Sequence, residues 1–139
     1  MKRSYRRRAE TIGVRGTEAQ LVEAILQTLN LAHPGTFCWR QETRGLPVRT
    51  KTGWQVRRNT QELGKADIAG VTNGYGWVIE VKLPGGYLKP HQRIWLEDYV
   101  KRGHGRAAVC HSVDEAEEFI MAVKTSGMAD VIVWVGEIQ

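Results

Sequence analysis

Two apolar segments joined by a short turn constrain the fold of this chain most strongly. Residues 66–71 and 77–83 are rich in apolar and β-branched side chains, and Asn73-Gly74 lies between them. Asn-Gly between two apolar runs is the strongest short-range signal for a β-hairpin with a two-residue turn. The turn sets the register, since residues equidistant from it become partners. The sequence therefore predicts an antiparallel hairpin in which Asp67 lies directly opposite Glu80.

This predicted register creates a candidate metal site. Cross-strand partners have Cβ atoms on the order of 5 Å apart, and two carboxylates that close repel unless a cation lies between them. Carboxylate oxygens suit Mg²⁺ or Mn²⁺. Strand alternation puts Lys82 on the same face as Glu80, where it could orient a water or stabilise phosphate charge. Two alternatives stay open: Gly76 could lengthen the turn and shift the register, and Glu-x-Lys in a strand is usually a surface pair.

Two predicted helices bring further polar groups toward this hairpin. The first runs from Thr17, with Gln20 completing a capping box, to about Asn30. Its helical phase aligns Glu18 with the apolar stripe and puts Glu23 on the polar side. The second begins at Pro90 and reaches Arg102. It carries Gln92 on one face with Trp95, Leu96 and Tyr99, and we expect that face to pack near the end of the Glu80 strand.

The remaining segments complete a mixed α/β pattern. Residues 36–42 alternate like a strand, and residues 43–64 form a basic hairpin or loop with Thr52-Gly53 as its turn. An apolar strand follows at 106–111, a helix at 112–127 with a capping box from Ser112 to Glu115, and a last strand at 131–135. The order predicts an α/β fold: a mixed β-sheet flanked by helices. We expect a flexible basic arm at residues 1–15 and a single domain at 16–139.

Charge suggests a polyanionic partner. Residues 1–65 hold 13 lysines and arginines against 5 acidic residues, a net charge of +8, whereas residues 66–139 hold 7 against 10, a net charge of −3. Such asymmetry is typical of nucleic-acid binding, although a solvated basic face is the alternative. The residues expected to contact the phosphates are Arg44, Arg49, Lys51, Arg57, Arg58 and Lys65.

Other sequence features predict the cellular compartment of the protein. Cys38 and Cys110 fit no zinc spacing and are expected as buried thiols in a reducing compartment, with a single disulfide between them as the alternative. No apolar run approaches the length of about 20 residues that a membrane span needs. We therefore expect a cytoplasmic protein with no membrane partner. The five tryptophans are mostly core candidates, and Trp54, in the basic loop, could instead stack on a base.

Three segments resemble the VRR-NUC domain of the PD-(D/E)xK nuclease superfamily: Gly64-x-x-Asp67-Ile68, Val78-Ile79-Glu80-Val81-Lys82, and Gly86-Tyr87-Leu88-x-Pro90-x-Gln92-x-x-Trp95-Leu96. The resemblance covers residues 17–120. It implies a restriction-endonuclease-like core and hydrolysis of DNA phosphodiester bonds with one or two Mg²⁺ or Mn²⁺ ions. It also implies metal ligation by Asp67, Glu80 and the Val81 carbonyl, with Lys82, Glu18 and Gln92 as catalytic residues.

The resemblance also suggests a substrate and an assembly. Stand-alone members, often from phages, are similar to homodimeric resolvases that cut branched DNA such as Holliday junctions. Two positions depart from the family pattern: Ala66 stands where proline is common, and Lys89 replaces a small N-cap residue. Neither departure removes a catalytic group. A DNA-binding module without catalysis is the main alternative, and an RNA-cutting enzyme is a weaker one.

Overall fold

A computed structural model of the chain describes residues 16–41, 46–57, 64–126 and 131–133. The helices and strands follow in chain order: α1 (Glu18–Ala32), β1 (Thr36–Arg40), β2 (Leu46–Thr50), β3 (Gly53–Arg57), β4 (Ile68–Thr72), β5 (Tyr75–Val81), α2 (Pro90–Gly103), β6 (Arg106–Cys110), α3 (Val113–Ser126) and β7 (Val131–Val133). Within these ranges no helix has the length and apolar character needed to cross a membrane.

Five of the strands form one mixed sheet in the order β1-β4-β5-β6-β7. β4 is antiparallel to both β1 and β5, whereas β6 pairs in parallel with β5 and with β7. The parallel connections pass through α2 and α3, as parallel strands require. β2 and β3 form a separate hairpin. The fold is the predicted mixed α/β fold and is consistent with a restriction-endonuclease-like core.

The β4–β5 hairpin has the predicted register. Ile68 pairs with Ile79 and Thr72 pairs with Tyr75, which leaves Asn73 and Gly74 as the two turn residues. Both have positive φ, 50° for Asn73 and 86° for Gly74, as a type I′ turn requires. Gly76 pairs within the ladder and does not lengthen the turn. The next pair beyond Ile68 and Ile79 brings Asp67 opposite Glu80.

Buried side chains cover both faces of the sheet. On one face α1 and α3 pack against a cluster that includes Trp77, Ile79 and Val81. On the other, α2 packs against Val78, Ala107 and Val109. Because side chains alternate along β5, Glu80 and Lys82 lie on the α2 face, opposite Ile79 and Val81.

Helix α1 begins as predicted, with the hydroxyl of Thr17 accepting from Gln20 N and the Gln20 side chain accepting from Thr17 N. Helix α3 differs. Ser112 Oγ accepts from Glu115 N at 3.1 Å, but the Glu115 carboxylate accepts from His111 N, so it does not complete the predicted box. The basic hairpin turns at Lys51 and Thr52, and Gly53 is already the first residue of β3. The proposed arm at residues 1–15 and the end of the last predicted strand lie outside the described residues.

The cysteines and tryptophans test the predicted core. Cys38 and Cys110 are both buried and free, as expected. Trp77 is fully buried, but Trp39 is 44% exposed and Trp54 is 71% exposed. The core assignment was therefore wrong for Trp39, because β1 is an edge strand and, within the described residues, helix α2 packs against Ala69 and Val78 rather than against β1.

Gly70 in β4 provides a test of this packing. A methyl group at residue 70 would overlap the Trp77 ring and lie 2.7 Å from Cys38 Cβ, on the strands to either side. Gly70→Ala should therefore lower the free energy of unfolding by roughly 1–3 kcal/mol, the usual cost of overpacking a core. Gly103→Ala, where a methyl group meets nothing within 4 Å, is the control. Urea unfolding measures the free energy of unfolding of both variants. Equal values for Gly70→Ala and Gly103→Ala would contradict the packing of Gly70 against Trp77 and Cys38.

Candidate active site

Asp67 is held at the start of β4 by the two neighbouring strands. Its carbonyl oxygen accepts from Gln41 N at 2.8 Å, just past the end of β1. Its side-chain Oδ2 accepts from Val81 N at 2.8 Å, at the end of β5. The position of the carboxylate is therefore set by backbone groups on both sides, which have little freedom to move.

Glu80 is a buried carboxyl group with one oxygen partnered and the other open. The residue is 1% exposed. Its Oε1 accepts from Gln92 Nε2 at 3.1 Å, and Lys82 Nζ lies 3.6 Å from the same oxygen. Its Oε2 is buried and has no hydrogen-bond donor. A buried polar atom without a partner is costly, so this oxygen is suited to a proton or a cation.

Burial controls the ionisation of both carboxyl groups. Loss of hydration and, to a smaller extent, the nearby Asp67 charge raise the pKa of Glu80 to about 9, against the lowering effect of Lys82. Burial also raises the pKa of Asp67, against the lowering effect of the Val81 N–H. When Glu80 holds a proton, it can donate a hydrogen bond to Asp67. Two ionised carboxylates could form no such bond, so the pair favours sharing one proton when no cation is present.

Glu18, the first residue of α1, faces the same group of charges. Burial raises the pKa of Glu18, whereas Lys82 lowers it and Asp67 raises it. The charge of Glu18 in turn helps to raise the pKa of Glu80. Glu23 is exposed. The helical phase that separated Glu18 from Glu23 in the sequence is therefore confirmed by their positions.

Gln92 links helix α2 to Glu80. Its Oε1 accepts from Lys89 N at 3.0 Å, which satisfies a free backbone donor at the start of the helix, while its Nε2 donates to Glu80. Leu96 is fully buried on the same helix face, and Trp95 and Tyr99 pack against the core cluster there. The predicted docking of this face near the end of the Glu80 strand is confirmed.

The predicted DNA-contacting residues are only partly described. Arg49 and Lys51 are exposed in the β2–β3 hairpin, and Lys65 is half-buried before β4. Arg57 ends β3, but its side chain is outside the described part, as are Arg44 and Arg58 altogether. Contact with phosphate stays a prediction for all six, as does ligation by the Val81 carbonyl.

The structure adds residues that the sequence did not single out. Arg40, the last residue of β1, lowers the pKa of Asp67 through its charge, and Gln41 supplies the backbone donor described above. His111 Nε2 contacts the Gly86 carbonyl at 3.3 Å, and its Nδ1 lies 3.3 Å from Glu115 Oε2. These contacts tie the loop after Lys82 to α3. No local pattern identifies such residues, because each depends on which strands become neighbours.

The donor atoms fit a small divalent cation. Asp67 and Glu80 provide hard oxygen atoms, and a cation could take the place of a proton at Oε2 of Glu80, which has no hydrogen-bond donor. Among the described residues no group of three or more His, Cys, Asp or Glu side chains has metal-binding geometry. The side-chain ligands would therefore be this carboxylate pair, and water or backbone oxygens would complete the shell, as Mg²⁺ commonly allows.

The described residues thus combine a mixed α/β core with two carboxyl groups, a lysine and a glutamine near the end of strand β5. The family model described as "VRR-NUC domain" matches residues 2–114. The chain belongs to this family and is a nuclease-type domain. Comparison with curated proteins and with solved structures gives no match.

The raised pKa of Glu80 predicts how stability depends on pH without metal. The folded state favours the neutral acid, so its stabilising effect is complete below the ordinary pKa of 4.5 and is lost as pH rises toward about 9. In EDTA the free energy of unfolding of the wild type, relative to Glu80→Gln, should therefore fall as the pH rises through that window. Denaturant unfolding at several pH values measures the difference.

Glu23→Gln removes an exposed carboxylate of the same type and is the control for this experiment. A difference between the wild type and Glu80→Gln that does not vary with pH would contradict the assignment of a neutral, buried Glu80 to the metal-free protein.

Proposed function

We propose that this protein is a metal-dependent endonuclease that hydrolyses DNA phosphodiester bonds. The observation that carries the proposal is the buried Glu80 carboxyl, with one oxygen unpartnered, beside Asp67 and Lys82 in a VRR-NUC domain. Burying such a group costs stability unless a cation compensates it. A purely structural role would be met better by an apolar side chain, so the arrangement favours a cation-binding function.

Each residue has a role in this proposal. Asp67 and Glu80 hold Mg²⁺ or Mn²⁺, with the Val81 carbonyl as a third ligand. Gln92 holds the Glu80 carboxyl through Oε1, so that Oε2 would be available to bind the ion. Lys82 lies 3.6 Å from Glu80 and carries a positive charge that can orient the attacking water or stabilise the phosphate as its negative charge grows. When bound, the ion supplies Lewis-acid polarisation of the scissile phosphate.

Glu18 extends the acidic cluster from the α1 side. Its carboxylate interacts electrostatically with Lys82 and Asp67. We propose that it holds the Lys82 ammonium in the productive position and accepts hydrogen bonds from ordered water. Its position at the N-terminus of α1 is favourable for a carboxylate, because the helix dipole stabilises negative charge there.

The proposed substrate is branched DNA, such as a Holliday junction, and the proposed assembly is a homodimer. Cutting a four-way junction symmetrically needs two active sites, which a two-fold dimer provides. Exposed Arg49 and Lys51 would contact phosphates, so binding should depend on shape and salt more than on base sequence. Light scattering measures the mass, and a monomer that resolves junctions would exclude the dimer while leaving the metal site intact.

Cleavage of labelled junction and duplex DNA, with Mg²⁺ or with EDTA, tests the function. The wild type should cut only with the ion. Lys82→Ala should lower the rate by at least about 10²-fold, the scale of one positioned catalytic group. Mg²⁺ should still raise its melting temperature, because an ammonium is not a metal ligand. Glu80→Gln should lose both the cleavage and most of the Mg²⁺-induced stabilisation.

Two results would contradict the proposal. Binding of DNA without metal-dependent cleavage would favour a non-catalytic DNA-binding module. Cleavage by Glu80→Gln at the wild-type rate would remove Glu80 from the site, whatever the substrate.

Glu18 and Glu23 form a matched pair within one helix. Glu18→Gln should lower the cleavage rate, because it removes a charge beside Lys82, whereas Glu23→Gln should have no effect, because Glu23 is exposed. Both substitutions keep the size of the side chain and a helix-compatible residue. Initial rates at saturating Mg²⁺ compare them, and equal rates for the two variants would exclude a catalytic role for Glu18.

A further inference from the structure

Helix α2 covers only part of the sheet face on which the active site lies. Beneath it Val78 and Ala107 are buried, whereas Phe37 is 71% exposed and Trp39 is 44% exposed on the edge strand β1. Val71, the partner of Phe37 on β4, is also exposed. Two adjacent aromatic rings open to solvent are unusual on a protein surface and indicate a binding site.

The exposed residues form a line that leads to the proposed metal ligands. Side chains at every second position of β1 share a face, so Phe37, Trp39 and Gln41 form one row, which we name the β1 stripe. Gln41 N bonds to Asp67 O, and Trp39 pairs with Ala69, two residues from Asp67. Diagonal neighbours of this kind are about 7–8 Å apart. The stripe therefore begins beside the site and extends away from it.

The free edge of β1 is blocked against another strand. At the middle of the strand, Asn30 Nδ2 donates to Cys38 O at 3.0 Å and Asn30 Oδ1 accepts from Cys38 N at 2.9 Å. The asparagine side chain from α1 thus takes the place of a neighbouring strand. Capping of this kind prevents pairing between sheet edges. A second copy of this chain adding its own strand here is disfavoured, and the face of β1 stays available to another partner.

The rings themselves are arranged to receive flat groups. The Phe37 and Trp39 centroids are 6.0 Å apart and the ring planes are tilted by 45°, so the two rings do not stack on each other. Stacked bases in one DNA strand are about 3.4 Å apart, which is less than the 6.0 Å between these two ring centroids. The two rings therefore suit bases that no longer stack on each other.

We propose that the β1 stripe binds unpaired nucleotides of the DNA strand next to the scissile phosphate, with one base stacked on Trp39 and another on Phe37. The inference rests on the proposed function for the location of the scissile phosphate. It identifies the substrate class more closely: DNA that has, or can open, unpaired bases beside the cut, as at a branch point. Trp39 is then a specificity-determining residue, since a continuous duplex keeps its bases inside the helix and cannot use the ring.

Binding without metal tests the stripe separately from catalysis. The measurement is fluorescence anisotropy in EDTA, with a short labelled oligothymidine and with a duplex that contains the same strand. Trp39→Ala should weaken binding of the single strand about tenfold, the effect of losing one base–aromatic stack. Binding of the duplex should change by about twofold or less. Trp39→Phe should retain most of the affinity, and Phe37→Ala should show a smaller loss than Trp39→Ala.

Met121→Ala is the control, because Met121 is 51% exposed on α3, which packs on the opposite face of the sheet, and its removal should change neither affinity. Unaltered single-strand binding in Trp39→Ala would overturn the inference, as would an equal loss for both DNAs. A loss of mass in light scattering with no loss of single-strand binding would assign the stripe to a second copy of the chain instead.

The two proposals fail in different ways. If the wild type cuts with Mg²⁺ but Trp39→Ala binds the single strand normally, the stripe is wrong and the nuclease stands. If no DNA is cut while Trp39 is still needed for single-strand binding, the proposed metal-dependent endonuclease activity is wrong and the β1 stripe stands as a single-strand-binding surface.

Discussion

The buried carboxyl pair of Asp67 and Glu80 is the interaction on which the rest of the site depends. Two carboxyl groups lie next to each other, Glu80 fully buried and Asp67 partly buried, and Glu80 has an oxygen without a hydrogen-bond donor. Left alone, such a pair opposes folding, because a charge in this environment is poorly solvated. Three neighbouring polar groups reduce that cost: the Val81 N–H for Asp67, and Gln92 and Lys82 for Glu80.

The backbone rather than the side chains gives the pair its rigidity. A two-residue turn at Asn73-Gly74 fixes the β4–β5 register, and the register determines which residues face each other. Asp67 is then bonded to β1 through its carbonyl and to β5 through its carboxylate. Apolar layers on both sides of the sheet hold these strands in place. The destabilising site is thus supported by the best-packed part of the chain, as functional sites require.

Strand β1 joins the structural and functional parts of the molecule. Its inner edge bonds to β4 and to Asp67, its outer edge is capped by Asn30, and its uncovered face carries the two exposed aromatic rings. One short edge strand therefore positions a proposed metal ligand, prevents unwanted strand pairing and presents the proposed nucleotide-binding surface. One strand can have all three roles because its two edges carry the backbone hydrogen-bonding groups and its two faces carry the side chains.

Local sequence was sufficient for the hairpin, the capping box at Thr17, the phase that distinguishes Glu18 from Glu23, and the face of α2 that carries Gln92, because each of these depends on residues close in the chain. The roles of these residues in catalysis stay predictions. Tertiary structure alone decided that β1 lies at an edge beside β4, which exposes Trp39 and brings Arg40 and Gln41 to Asp67. It also diverted Glu115 from the predicted cap to His111. These contacts join segments whose proximity is set by the packing of the whole sheet, and no local pattern of residues encodes that packing.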